Sequence, residues 1–282
     1  MKTPLRTLID LVRAPAALSV PGDVVAGAAA AGTLGPATAG LAGASVCLYW
    51  AGMAANDWAD RDLDAVERPE RPIPSGRISA DAALGIAAGL TAAGLAIAGK
   101  VGGRRALATA VPLAAAVWTY DLRLKNTAAG PAGMALCRAL DVVLGSGTGN
   151  PVRTLPAAAA VALHTYTVTE LSRREVAGLD DRRLPAATLA TTAALTAAVA
   201  AHANVPTAML AGEYATSYGR AQARLLTDPA SSRVRAAVGA GIVALPSLQG
   251  ALTARAGRRW AGLAVAAAAP LGRLLARKVS PT

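Results

Sequence analysis

The strongest constraint on this chain is a recurring apolar segment of about 17 to 25 residues, the length a helix needs to cross the hydrocarbon core of a bilayer. Such segments fall at about residues 5–33, 36–55, 79–99, 104–119, 130–149, 155–171, 184–203, 232–254 and 258–276. Lipid offers the backbone no hydrogen-bond partners, so repeated segments of this length point to helices. With 54% hydrophobic and 16% charged residues and a mean hydropathy of +0.40, 282 residues are too apolar for an ordinary soluble domain. The expectation is an all-α integral membrane protein, with about nine transmembrane helices in a single bundle around a central cavity and residues 1–282 forming one domain.

The first segment is long and continues into others, unlike a cleaved signal peptide, and Pro15 and Pro21 predict a kink in it. Pro270 interrupts the last. Residues 206–229 are amphipathic, with Tyr214, Tyr218, Arg220 and Arg224, and are expected to lie in the membrane interface without crossing it. With the N-terminus in the cytoplasm, nine crossings put about 16 Lys and Arg inside and about 11 outside, Arg138 being within a helix. This favours a multi-pass protein of the cell membrane.

The net charge of +11 sits in short connections between apolar segments, which argues against a nucleic-acid partner and for lipid head groups and phosphorylated substrates. Cys47 and Cys137 lie inside apolar segments and are expected to be buried free thiols. His164 and His202 read as helix-packing polar residues, and Trp50 and Trp58 as interface anchors.

Against this background the polar stretch 53–77, MAANDWADRDLDAVERPERPIPSGR, stands apart. Asn56, Asp60 and Asp64 recur every four residues, so one continuous helix would stack them along one face as oxygen ligands for Mg²⁺. Arg61, Arg68, Arg71 and Arg77 follow. A hard cation beside arginines suits a diphosphate. TYDLRLKN, 119–126, adds Tyr120, Asp121 and Lys125, and residues 169–183 carry Glu170, Arg173, Arg174 and Glu175. Arg68, Arg71, Lys125 and Arg173 are the expected diphosphate neutralisers. Arg138 and Asp141 lie at membrane depth, where charges are expensive; they form a self-neutralising i,i+3 pair, serve the substrate, or both.

NDWADRDLD resembles the NDxxDxxxD motif of the UbiA superfamily of intramembrane prenyltransferases, and ERPERPIPSGRIS resembles the continuation of that motif. Tyr120 and Lys125 look like the family's aromatic-to-lysine element after the fourth helix. The resemblance implies transfer of a prenyl group from a prenyl diphosphate to an unidentified acceptor, Mg²⁺-dependent, through an allylic carbocation, at a site facing the cytoplasm. It assigns Asn56, Asp60 and Asp64 to the metal and Asp60, Asp64, Arg71, Tyr120 and Lys125 to catalysis. Asn56, Arg68, Arg71, Lys125, Arg138, Asp141, Glu170, Arg173 and Glu175 are assigned to substrate. A second DxxxD motif, which family members carry after helix six, is replaced here by ELSRREVAG, similar to an EboC-like branch. The departure keeps two alternatives in view: a terpene cyclase acting on the diphosphate alone, and a non-catalytic prenyl-lipid carrier.

Overall fold

A computed structural model describes residues 5–201 and 203–268, so His202, Pro270 and the end of the ninth segment lie outside the described residues. Its elements are helical, with no strand among the described residues. They are α1 (Leu5–Leu11), α2 (Val20–Ala31), α3 (Pro36–Ala59), α4 (Arg61–Glu67), α5 (Ala80–Thr119), α6 (Gly130–Leu144), α7 (Leu155–Ser172), α8 (Arg183–Ala200), α9 (Val205–Tyr214), α10 (Arg220–Leu225), α11 (Ser231–Arg255) and α12 (Arg259–Ala266).

The first segment is broken, not merely kinked. Arg13 takes a left-handed conformation (φ 46°) after α1, and a 3-10 turn, Ala14–Ser19, leads into α2. α5 is a hairpin. Gly103, at φ 62° and ψ −152°, a region open to glycine, reverses the chain between arms 80–102 and 104–119. The Trp118 indole N–H donates to Thr91 Oγ1 across the hairpin at 3.1 Å. These arms match the third and fourth expected segments.

Three described helices have both the length and the apolar composition for a membrane crossing: Pro36–Ala59, the two-armed Ala80–Leu124, and Ser231–Arg255. α3 packs along the α5 hairpin with α6 beside it, around Leu41, Leu48, Leu113 and Leu144. A second core joins α7 to α11. α2 is the seam, touching α3, α6, α7 and α11. It comes this close because it meets α6 through glycines: a β-carbon on Gly27 would overlap the Val142 carbonyl, and one on Gly145 the Val24 carbonyl.

Residues 206–229, expected in the interface, pack within the helical bundle. α9 and α10 are joined by a π-helical turn, Ala215–Gly219, into one 21-residue rod of about 31 Å. Asn204, at its start, donates from Nδ2 to the carbonyl of Ala254 near the end of α11, while its far end connects within a few residues to the start of α11. The rod therefore lies antiparallel along α11. Tyr214 and Tyr218 are fully buried, the Tyr214 hydroxyl 3.0 Å from His164 Nδ1 and the Tyr218 hydroxyl 3.1 Å from Thr167 Oγ1. The tyrosines that suggested an interface instead pack the helix into the bundle. His164 is a packing residue, as expected, and Cys47 and Cys137 are free.

Candidate functional site

The polar stretch after α3 does not continue α3 as a straight helix. At Asp60 the backbone takes φ −92° and ψ 5°, and α4 restarts at Arg61. The bend divides the expected ladder of Asn56, Asp60 and Asp64 among different partners. Asn56 Nδ2 donates to Asp121 Oδ1 at 3.2 Å, and Lys125 Nζ is 2.7 Å from Asp60 Oδ1. Asp64 is 1% exposed and turned the other way; its Oδ2 accepts from Arg71 NH1 at 2.6 Å, and Arg68 NH1 is 3.7 Å from its Oδ1.

Asp121 and Lys125 reach the end of α3 together because the chain makes a π-helical turn at Tyr120–Leu124, closed by the Lys125 N–H on the Tyr120 carbonyl at 2.9 Å. The wider turn re-aims the side chains that follow it. Asp121, 2% exposed, packs under Gly52; a β-carbon there would press on its carboxylate.

Sequence reasoning left Asp57 and Arg13 out of the site, and the structure puts both beside it. Asp57 is 3% exposed, and its Oδ1 accepts from Arg13 NH2 at 2.8 Å and Arg71 NH1 at 3.3 Å. Arg71 thus bridges Asp57 and Asp64. Arg61 and Arg77 serve elsewhere. Arg61 stacks over the Trp58 ring, and Arg77 ties Asp10 to the Glu70 carbonyl, closing the loop that carries Arg68 and Arg71.

Beside Asp121 a narrow cavity of about 70 Å³ runs between α3, the second arm of α5 and α6. Its walls include Leu48, Tyr49, Met53, Val117, Tyr120 and Cys137, and its inner end carries Ser45, Arg138 and Asp141. The i,i+3 pairing of Arg138 with Asp141 is not what forms. Arg138 Nε is 2.8 Å from Asp23 Oδ2, and the Asp23 Oδ1 accepts from Gln249 Nε2 at 2.6 Å, so the guanidinium is tied to α2 and α11.

The residues after α7 divide. Arg173 reaches the site's rim, donating from NH1 to the Thr127 carbonyl in the loop after Lys125. Glu170 is half-buried on the last turn of α7. Burial raises the Glu175 carboxyl above the ordinary glutamate range, and the charge that opposes this is Arg235 on α11. No group of three His, Cys, Asp or Glu side chains able to hold a metal occurs among the described residues. What the mouth of the cavity offers a cation is hard oxygen: Asn56 and Asp60 with Asp121 beside them, a set that suits Mg²⁺ once phosphate oxygens complete the shell.

The sequence profile of the UbiA prenyltransferase family matches residues 19–269. Among curated relatives, a digeranylgeranylglyceryl phosphate synthase from Ignicoccus hospitalis is 32% identical over 63% of this chain and 59% of its own length. A bacteriochlorophyll synthase 33 kDa chain from Rhodobacter capsulatus is 44% identical over 31% of this chain and 29% of its own. The chain thus aligns with less than two thirds of the length of these relatives. Two solved structures share the fold. One, described as concerning digeranylgeranylglyceryl phosphate synthase in membranes, has a TM-score of 0.69 and 16% identity, covering 91% of this chain and 99% of that one. The apo structure of a UbiA homolog from Aeropyrum pernix K1 has a TM-score of 0.65 and 21% identity, covering 89% and 97%.

Proposed function

The chain belongs to the UbiA prenyltransferase family, and from that premise we propose that it transfers a prenyl group from a prenyl diphosphate to an acceptor. The observation that carries this is the meeting, beside a mostly apolar cavity lined by Asp121, of oxygen donors from Asn56, Asp60 and Asp121 with the ammonium of Lys125, while Arg68 and Arg71 stand on Asp64 in the same polar stretch. An allylic diphosphate has the same polarity, an anionic head on an apolar tail.

In this reading Asn56, Asp60 and Asp121 would hold Mg²⁺, and Asp64 would join them only by leaving Arg71. When bound, the ion supplies positive charge to the leaving diphosphate. Arg68, Arg71 and Lys125 stabilise the same developing charge by direct hydrogen bonds, and Arg173 closes on it from the rim in place of a second acidic motif. The donor's C1–O bond breaks, its electron pair leaves with diphosphate, and the allylic cation is held among Tyr49, Met53 and Tyr120. The acceptor then bonds to C1 and gives up a proton.

Orientation follows from charge. With residues 205–225 counted as a crossing, sixteen described Lys and Arg lie on the site face and seven on the opposite face. This bias is stronger than the one expected with residues 206–229 in the interface and supports a site on the cytoplasmic side.

The test is diphosphate release and product analysis in membranes, with prenyl diphosphates of several chain lengths, with and without Mg²⁺. Asp60→Ala is expected to abolish release. Full activity in that variant would remove Asp60 from the site. Binding without turnover in the wild type would favour the carrier alternative, and a cyclised product without acceptor would favour the cyclase.

A further inference from the structure

At the end of the bundle away from the site, α7 begins while α8 and α11 finish, and a groove of about 520 Å³ lies among them. It exists because the first turns of α7 are built of alanine: Ala157 and Ala160 leave room that Leu195 and Val199 of α8 do not fill. Leu163, about 10 Å of helix rise below Pro156, is 49% exposed on its wall, so the groove opens toward lipid.

Arg153 and Arg255 are the charged residues of its lining. Arg255 closes the end of α8, donating from NH1 to the carbonyls of Ala198, Val199 and Ala201 at 2.5–3.1 Å. Those bonds use one nitrogen and leave Nε and NH2 for an anion. Arg153 is exposed and has no side-chain partner among the described residues. The start of α7 beside it has no side-chain cap and adds its own partial positive charge.

Nothing on this face opposes those charges. Residues 32–35, 99–105, 145–154, 201–204 and 255–260 contain seven Lys and Arg and no Asp or Glu, whereas the site face mixes both signs. A zwitterionic head group would set its ammonium among cations with no carboxylate to meet it. A head group of net negative charge suits both guanidinia, and a tail below it suits the apolar walls.

We propose that this groove holds one anionic phospholipid of the leaflet opposite the site, its phosphate at Arg153 and Arg255 and an acyl chain against Ala160, Leu163 and Leu195. The lipid bridges α7, α8 and α11. The proposal is independent of the chemistry assigned to the site.

The test needs no turnover. The full chain, purified in detergent, is incubated with equal amounts of phosphatidylglycerol, phosphatidylethanolamine and phosphatidylcholine of identical acyl chains, and the retained lipids are counted by native mass spectrometry. One phosphatidylglycerol per chain is expected, preferred about tenfold over phosphatidylcholine. Arg153→Gln and Arg255→Gln should each bring that preference to within about threefold. If Arg255→Gln does not fold, Arg153→Gln decides, since its side chain holds nothing else. Lys100→Gln with Arg104→Gln removes two exposed charges of the same face from the α5 hairpin, which packs on α3 and α6, and should leave the preference intact. Equal retention of the three lipids, as for ordinary boundary lipid, overturns the proposal. So does a preference that Arg153→Gln leaves unchanged, one that the Lys100 and Arg104 pair abolishes equally, or a chain dimer that Arg153→Gln dissociates, which would give the groove to a second copy.

Discussion

Lys125 Nζ lies 2.7 Å from Asp60 Oδ1, an ion pair that joins the turn after α5 to the end of α3 across the mouth of the cavity. Both side chains are largely withdrawn from solvent, at 12% and 20% exposure. Without ligand the pair neutralises itself; in the proposed mechanism a cation on Asp60 would release Lys125 to a phosphate oxygen.

This exchange gives Lys125 a measurable role. Lys125→Met keeps the stem and removes the charge. Diphosphate release is expected to fall about 10²-fold, the scale of losing one donor to a developing anion. Competition by inorganic diphosphate should weaken with it. Unchanged competition would place Lys125 as a partner of Asp60 alone.

Asp57 supports the site without belonging to the cation's donors. Asp57→Ala leaves Arg13 and Arg71 without their shared oxygen, but the arginines are 38% and 18% exposed and water reaches them. The loss should therefore be near the low end for a charged hydrogen-bond network, about 1.5 kcal/mol, seen as a lowered melting temperature. Arg71 also loses one of two anchors, so affinity for a prenyl diphosphate should fall more than turnover does.

How much of this was legible depended on sequence distance. Asn56, Asp60 and Lys125 were readable because each sits at the end of an apolar segment, where polar residues have few structural reasons to cluster. Asp64 was misplaced because four-residue spacing assumes a continuous helix, and the bend at Asp60 has no proline or glycine to announce it. Asp57 shares its motif with residues that looked more useful. Arg13 could not be found at all: it contacts a residue 44 positions away, and only the left-handed turn brings it there. Arg138 and Asp141 suggested each other by local spacing, while the observed partner, Asp23, comes from another helix.

Glu175, assigned to substrate from its sequence position, tests the opposite expectation. Burial raises its pKa above the ordinary value of 4.5. A raised carboxyl contributes stability that is present below the unfolded pKa and lost as pH rises through the folded one. Glu175→Gln should leave melting unchanged near pH 4, raise it slightly near pH 7, and leave diphosphate release intact. A variant that loses release would return Glu175 to the site.

The rod 205–225 decides the sidedness of everything after it. If it lies in the interface, the connections before α9 and after α10 are on the same side of the membrane; if it crosses, they are on opposite sides. Its antiparallel course along α11 and the burial of Tyr214 and Tyr218 are the reasons to expect the crossing. With Cys47 and Cys137 replaced by alanine, single cysteines at the exposed positions Ser75, Ala201 and Ala230 can be labelled in oriented vesicles by a membrane-impermeant maleimide. Ser75→Cys and Ala230→Cys should label from one side and Ala201→Cys only from the other. Labelling of Ala201→Cys and Ala230→Cys from the same side would return the rod to the interface. It would also reverse α11 relative to α3, a reversal that the hydrogen bond from Gln249 on α11 to Asp23 on α2 would have to survive.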